Sequence, residues 1–228
     1  MKTLAIITAR AGSKGLPEKN KKLFAGKPLV EWTNEAALKA RMLDAIVVST
    51  DDWDIAYIAE RCGLQVPFIR PPELALDDTP HIDVVLHPLR EVGGTNFTHC
   101  CLLQPTSPLR TSDDIDEACI CAARNQTHSV LSVTENRDYP FIVASKLWGG
   151  LQPPPCGYLA RQKLSARYFI NGAIYVNPIE TLMDKKSFYA GPLMPYIMPK
   201  ERALQVDDQF DFNVAEYVMY GRLEKGKE

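Results

Sequence analysis

Apolar residues in this chain come in short unbroken runs, separated by stretches in which they recur every three or four positions. The runs Leu4–Ala9, Ala45–Ser49, Leu64–Ile69, Thr98–Leu103 and Ser129–Val133 predict five strands. Between them, Leu29–Arg41 places Leu29, Val30, Trp32, Ala36, Ala37 and Ala40 at helical spacing. Trp53–Cys62, Thr79–Glu91 and Ser112–Arg124 read as three more helices. Thr50 and Asp51 are the expected cap of the helix at 53, with Gly63 as its stop; Ser112 or Asp113 caps the helix at 112. Strands alternating with helical stretches of this length imply right-handed crossovers and a mainly parallel sheet. On such sheets ligands bind beyond the carboxyl ends of the strands. The loops Arg10–Asn20, Thr50-Asp51, Arg70–Thr79 and Gln104–Thr111 all fall there, so successive loops are expected to build one cleft.

The alternation breaks near Glu135. Gly149–Gly157 is a Gly/Pro-rich turn, Leu159–Arg167 is basic, and Asn171–Asn177 is a compact strand. Phe188–Met198 is aromatic and proline-rich, and Asp207–Leu223 reads as a final helix. The 228 residues are read as one domain, with about 137–192 as a protruding segment inside it. Hydrophobic residues make up 46% and charged residues 24%, an ordinary balance for a soluble globular chain. A net charge of −2 and a pI near 6.1 argue against a nucleic-acid binder. No apolar run approaches a membrane span, and the first residues lack the pattern of a signal peptide, so a cytoplasmic location is expected. The six cysteines form no CxxC and read as buried reduced thiols.

Charge changes the picture at one place. From Arg10 to Lys27 there are six basic residues and one acidic one, directly after the first apolar run. The loop Arg10-Ala-Gly-Ser-Lys-Gly is neither a Walker A motif nor a dinucleotide fingerprint. Its glycines, Gly12 among them, let backbone N–H groups approach anionic oxygens. Ser13 adds a short donor, and Arg10, Lys14 and Lys19 add charge. That combination suits a triphosphate; a solvated basic loop is the bland alternative.

Four stretches, RAGSKGLPEKN, RPPELALDDT, LLQPTSPLRT and NGAIYVN, closely resemble the acylneuraminate cytidylyltransferases in order and spacing, over essentially the whole chain. The resemblance implies a three-layer αβα Rossmann-like nucleotidyltransferase fold with a mixed, mostly parallel sheet and a protruding dimerisation segment. It also implies the reaction: a 2-keto nonulosonic acid attacks the α-phosphate of CTP, with Mg2+, to give a CMP-sugar and pyrophosphate. Carried over by motif, Arg10, Ser13, Lys14 and Lys19 match the triphosphate loop, and Asn20, Arg70 and Thr79 lie in stretches near the nucleoside. Gln104 matches a residue between nucleotide and sugar. Arg161 matches an arginine facing the sugar carboxylate, and Asn171 and Tyr175 belong to the sugar pocket. Phe188 and Tyr189 match an aromatic pair that the family draws from the neighbouring subunit, which implies a homodimer with shared sites.

The metal site departs from the family pattern. Where relatives carry two aspartates one residue apart, this chain has Gln205-Val206-Asp207, so Asp207 is the expected ligand of Mg2+. Asp208 and Asp211 are read as capping the last helix. On the sugar side, Ile142 and Phe169 stand where sialic-acid enzymes carry a lysine and an arginine, with Arg167 near enough to replace the second. Lost polar partners suggest a legionaminic- or pseudaminic-type sugar. His81 lies near the base-binding loop, with a helix-terminal surface position equally open. Another keto-sugar acid, another nucleotide, or a catalytically weak binder are the rival readings.

Overall fold

The computed structural model describes residues 1–125, 128–136, 146–147, 150–151 and 166–225. β1 (Thr3–Thr8) leads into the basic loop, and the short β2 (Leu23–Phe24) and β3 (Lys27–Pro28) deliver the chain to α1 (Leu29–Lys39). Then come β4 (Ala45–Ser49), α2 (Trp53–Arg61), α3 (His81–Glu91), β5 (His99–Leu103), α4 (Ser112–Arg124) and β6 (Ser129–Asn136). The small pair β7 (Lys146–Leu147) and β8 (Gly150–Leu151) precedes β9 (Arg167–Pro178), α5 (Ile179–Lys185), β10 (Leu193–Ile197) and α6 (Gln209–Lys225).

Six strands form one sheet in the order β10-β6-β9-β5-β1-β4. Pairs β1–β4, β1–β5 and β6–β10 are parallel, whereas β9 runs against both β5 and β6. The expected mixed, mostly parallel sheet therefore forms. Helices cover both of its faces. Ala5 and Ile7 of β1 join Val30 of α1, Ile55 of α2 and Ile115 of α4 in one core. Leu4 and Ile6 point the other way, into a core with Val85, Leu86 and Leu89 of α3 and Leu182 of α5. Burial on both faces is why these strands read as continuous apolar runs, each fully buried Leu or Ile contributing about 1.5–3 kcal/mol. Cys100 and Cys101 split between the two cores in the same way, and the five described cysteines are all free thiols.

Several expected elements take a different form. Leu64–Ile69 makes only a single bridge, Val47 to Gln65, because Pro67 removes a ladder donor and Pro71 follows Arg70 closely. Asp52 caps α2 instead of Thr50 or Asp51, its carboxylate accepting the Asp54 and Ile55 N–H groups at 2.8 and 3.2 Å. Thr111, not Ser112 or Asp113, caps α4, in a reciprocal box with Asp114. Within the stretch expected to protrude, about 137–192, the described strand β9 runs in the middle of the sheet, and most of 137–165 lies outside the described residues. Only Arg167–Ile170 of that strand is exposed, extending beyond the core as a ribbon with the end of β6.

Asp114 organises the approach to the C-terminal segment. Its buried carboxylate accepts from Tyr196 Oη at 2.7 Å, from Arg202 Nη2 at 2.7 Å and Nε at 2.9 Å, and from the Thr111 N–H at 2.9 Å. Burial alone would raise its pKa, but Arg202, Thr111 and Tyr196 together hold it below the ordinary carboxylate range. Its stabilising contribution is therefore complete above about pH 4 and is lost as pH falls through the depressed native value. Asp114→Asn should cost about 2–3 kcal/mol at pH 7 by chemical denaturation, and the gap to wild type should close progressively in acid. A gap that stays constant with pH would contradict an ionised Asp114.

Candidate active site

The loop after β1, the 70–79 segment between α2 and α3, the loop after β5 and residues 205–207 converge on a cleft of about 290 Å³. Among the residues expected at a nucleotide, Arg10, Gly12, Ser13, Lys19, Asn20, Arg70 and Thr79 line it, joined by Gln104 and Asp207. Lys14 stands at the rim with a largely exposed side chain.

The basic loop is held by its backbone. Ala11 N–H donates to Asp51 Oδ1 at 3.1 Å, and Asn20 Nδ2 donates to the Arg10 carbonyl at 2.9 Å. Asp51 is free for this because Asp52 took the capping role. At the far end, Lys19 Nζ is buried, donating to the Val206 carbonyl at 2.6 Å and lying 3.4 Å from Asp207 Oδ1. Gly15 is pressed against the same segment, where a Cβ would collide with the Asp207 carbonyl. Lys19 is thus both a wall of the cleft and a tie to the chain's last quarter.

The cations at the mouth already hold an anion. Arg10 Nη2 lies 2.7 Å from Asp77 Oδ1, and Lys14 Nζ lies 3.1 Å from Asp77 Oδ2. Lys14 and then Arg10 hold this carboxyl below its usual range. Asp77 was not singled out in the sequence; its signal was an acidic pair in RPPELALDDT facing a cationic loop.

Arg70 is 3% exposed. Its Nη2 donates to Asp51 Oδ1 at 3.2 Å, while its buried Nε has no hydrogen-bond partner among the described residues. Burial lowers its pKa and Asp51 opposes that. A buried, unanswered N–H costs about 1–3 kcal/mol, and a carbonyl or hydroxyl of a bound molecule in the cleft would remove that cost.

Beyond β5, Gln104 is fixed from two sides. Arg110 Nη1 donates to the Gln104 carbonyl at 3.1 Å and to the Ala173 carbonyl of β9 at 2.7 Å, and Nη2 reaches Thr33 Oγ1 at 2.8 Å. Burial brings this guanidinium down to about 10. Arg110 closes the QPTSPLR motif and joins three elements, a role the sequence reading had not assigned. His81 bonds the Gln104 side chain and lines the cleft, which resolves its two open readings toward the interior.

The residues expected at the sugar are placed unequally. Asn171 is buried in scaffolding, accepting from Ser132 Oγ at 2.5 Å and donating to Thr134 Oγ1 at 3.0 Å. Tyr175 is a core residue whose ring meets Phe188 at 5.5 Å; burial pushes its hydroxyl pKa up. Phe188 packs in its own chain's core, behind His81, and Tyr189 is exposed. Arg161 and Ile142 lie outside the described residues. A second cavity of about 470 Å³ adjoins the cleft, lined by Thr134, Glu135, Phe169, Asn171 and Lys200, and Gln205 and Asp207 border both.

The acidic cluster divides as its capping geometry requires. Asp208 and Asp211 bond each other's backbone, Asp211 N–H to Asp208 Oδ1 at 2.9 Å and Asp208 N–H to Asp211 Oδ2 at 3.4 Å, and so start α6. The Asp207 carboxylate caps nothing and is 70% exposed at the cleft. Gln205 commits its amide nitrogen to the Asn171 carbonyl, over Gly172, whose φ of +72° and closeness to Gln205 admit no side chain. One carboxylate beside a phosphate-binding loop fits Mg2+, which is often held by one or two carboxylates together with substrate phosphates.

A family model described as cytidylyltransferase matches residues 4–138. The chain is 36% identical over 217 residues to the N-acylneuraminate cytidylyltransferase of Escherichia coli O18:K1:H7, covering 94% of this chain and 51% of that protein. It is 35% identical over 228 residues to the CMP-N,N'-diacetyllegionaminic acid synthase of Legionella pneumophila, covering 96% and 97%. With the pseudaminic acid cytidylyltransferase of Campylobacter jejuni it shares 30% over 221 residues, covering 94% and 95%. The chain thus spans about half the length of its N-acylneuraminate relative and nearly the whole of the other two. A solved CMP:2-keto-3-deoxy-manno-octonic acid synthetase complexed with CTP shares the fold at a TM-score of 0.73 and 15% identity, covering 97% of this chain and 100% of that one. Sequence motifs, cleft and relatives agree: the chain belongs to the cytidylyltransferase family.

Proposed function

We propose that this chain activates a nonulosonic acid with CTP. A sugar hydroxyl oxygen bonds to the α-phosphorus and gives up its proton to water, the bond from that phosphorus to the bridging oxygen breaks, and pyrophosphate leaves. The observation that carries the reading is the shared wall: Gln205 and Asp207 border both the cationic cleft and a second cavity. Two substrates bound on either side of that wall have their reacting ends next to each other. Such a reaction is mostly positioning and charge neutralisation.

Arg10 and Lys14 take the triphosphate oxygens in place of Asp77, and Lys19 closes the inner end of the loop. Arg70 presents its guanidinium to the nucleoside from the wall of the cleft. Asp207 would hold Mg2+, which supplies charge neutralisation on the triphosphate. In the second cavity Phe169 presents a half-exposed ring where an acyl or methyl group fits, supporting an N-acylated, legionaminic- or pseudaminic-type sugar. Tyr168, Phe169 and Ile170 are exposed on the ribbon beyond the core, and this apolar stem supports a homodimer built through it. No helix among the described residues is long and apolar enough to cross a membrane.

Incubated with CTP, Mg2+ and a panel of nonulosonic and shorter keto-sugar acids, the protein should release pyrophosphate with N-acylated nonulosonic acids in preference to the others. CTP binding with no pyrophosphate from any acid would leave only a nucleotide-binding role. Asp207→Asn should lower kcat by about 10²-fold or more and change CTP affinity by less than about threefold. Wild-type turnover in that variant would reduce Asp207 to a loop residue.

A further inference from the structure

His81 begins α3, and its ring reaches across the ends of two strands. Nε2 lies 3.1 Å from Thr8 Oγ1 at the end of β1, and Nδ1 lies 3.3 Å from the Gln104 amide nitrogen beyond β5. The ring is backed by Phe188 at 5.9 Å, which itself rests on Tyr175. An amide nitrogen has only hydrogens to give, so Nδ1 accepts. The single imidazole proton then sits on Nε2 and is donated to Thr8. With its nitrogen held by the histidine, Gln104 turns its carbonyl toward β9, where Oε1 stands 3.1 Å from the place a Cβ of Gly172 would occupy.

Resting on the activity proposed above, we propose that His81 is a positioning residue that locks the polarity of Gln104. Gln104 lines the cationic cleft, and its Oε1 shares the space over Gly172 with Gln205, which borders both cavities. At that shared wall the locked amide offers the acceptor substrate a carbonyl oxygen, so the site selects a sugar acid presenting a hydroxyl or an acylamino N–H there. The same motif with a hydrophobic residue in place of His81 would leave the amide free to turn over and to accept either polarity. Three of the ring's neighbours, Thr8, Gln104 and Phe188, are neutral; Arg70 is the charged group that faces it. Burial, and then Arg70, bring the imidazole down to about 4, so the lock holds throughout the neutral range. A protonated ring donates from both nitrogens and would force the amide to reverse.

The wild-type protein provides the first test. Two-bond 1H–15N correlation of His81 at pH 7 should show the Nε2–H tautomer; an Nδ1–H tautomer overturns the proposal whatever the substrate proves to be. The second test is a double-mutant cycle. His81→Phe keeps a ring against Phe188 but cannot accept, and Gln104→Ala removes the amide. Each should raise KM for the acid by about 5–20-fold, a larger factor than its effect on KM for CTP. The double variant should be no worse than Gln104→Ala. His81→Asn, which places an acceptor oxygen near the position of Nδ1, should recover part of the loss. Additive losses, or an unchanged KM in His81→Phe, would show that His81 does not act through Gln104. If no acid supports pyrophosphate release, the functional reading fails while the tautomer still decides the lock.

Discussion

A buried ammonium joins the two ends of this chain at its cleft. Lys19 Nζ donates to the Val206 carbonyl and stands beside Asp207, nearly two hundred residues along the sequence. Taking a cation out of water is costly, and the nearby carbonyl and carboxylate offset that cost. Because Gly15 meets the Asp207 carbonyl in the same place, the phosphate loop and the 205–207 segment hold each other's position. The cations of the loop and the carboxylate that faces them are brought together by this contact, and the rest of the site is arranged around it.

The cleft is cationic in a chain whose net charge is slightly negative, and it achieves this without leaving its cations unanswered. Asp77 spans Arg10 and Lys14, Asp51 faces Arg70, and Asp207 faces Lys19. The Asp77 pairs are exposed at the mouth, where ion pairs are worth little, so in the proposed reaction a triphosphate with several charges takes their place. The Arg70–Asp51 pair is deep, and Asp51 also receives the Ala11 N–H. Displacing that one would loosen the loop itself. Depth separates the contacts a ligand exchanges from those that hold its site.

Behind the cleft, two buried hubs transmit order from the sheet. Arg110 ties the Gln104 loop to β9 and α1, and Asp114 ties the start of α4 to Tyr196 and Arg202, just before the 205–207 segment. Both residues come from one short stretch, so the Gln104 loop and the 205–207 segment share a scaffold. That stretch closes the third of the four motifs, and its arginine contributes by fixing acceptors in place.

The sequence by itself determined the alternating strands and helices, the parallel character of the sheet and the cationic loop after β1, because these depend on local period and local charge. It also marked half of the cleft's lining: Arg10, Gly12, Ser13, Lys19, Asn20, Arg70, Thr79, Gln104 and Asp207. Only the tertiary structure decided which neighbour each polar group faces. Asp52 rather than Asp51 caps α2, which hydrogen bonding settles within one residue's reach and no pattern distinguishes. Pro67 broke a strand whose hydrophobicity alone had suggested one. Phe188 packs in its own core, and Asn171 both bonds Ser132 and lines the second cavity, because burial depends on what packs above a residue. Asp77, Arg110 and the His81–Gln104 bond join residues far apart in sequence, and their roles arise from distances that only folding sets.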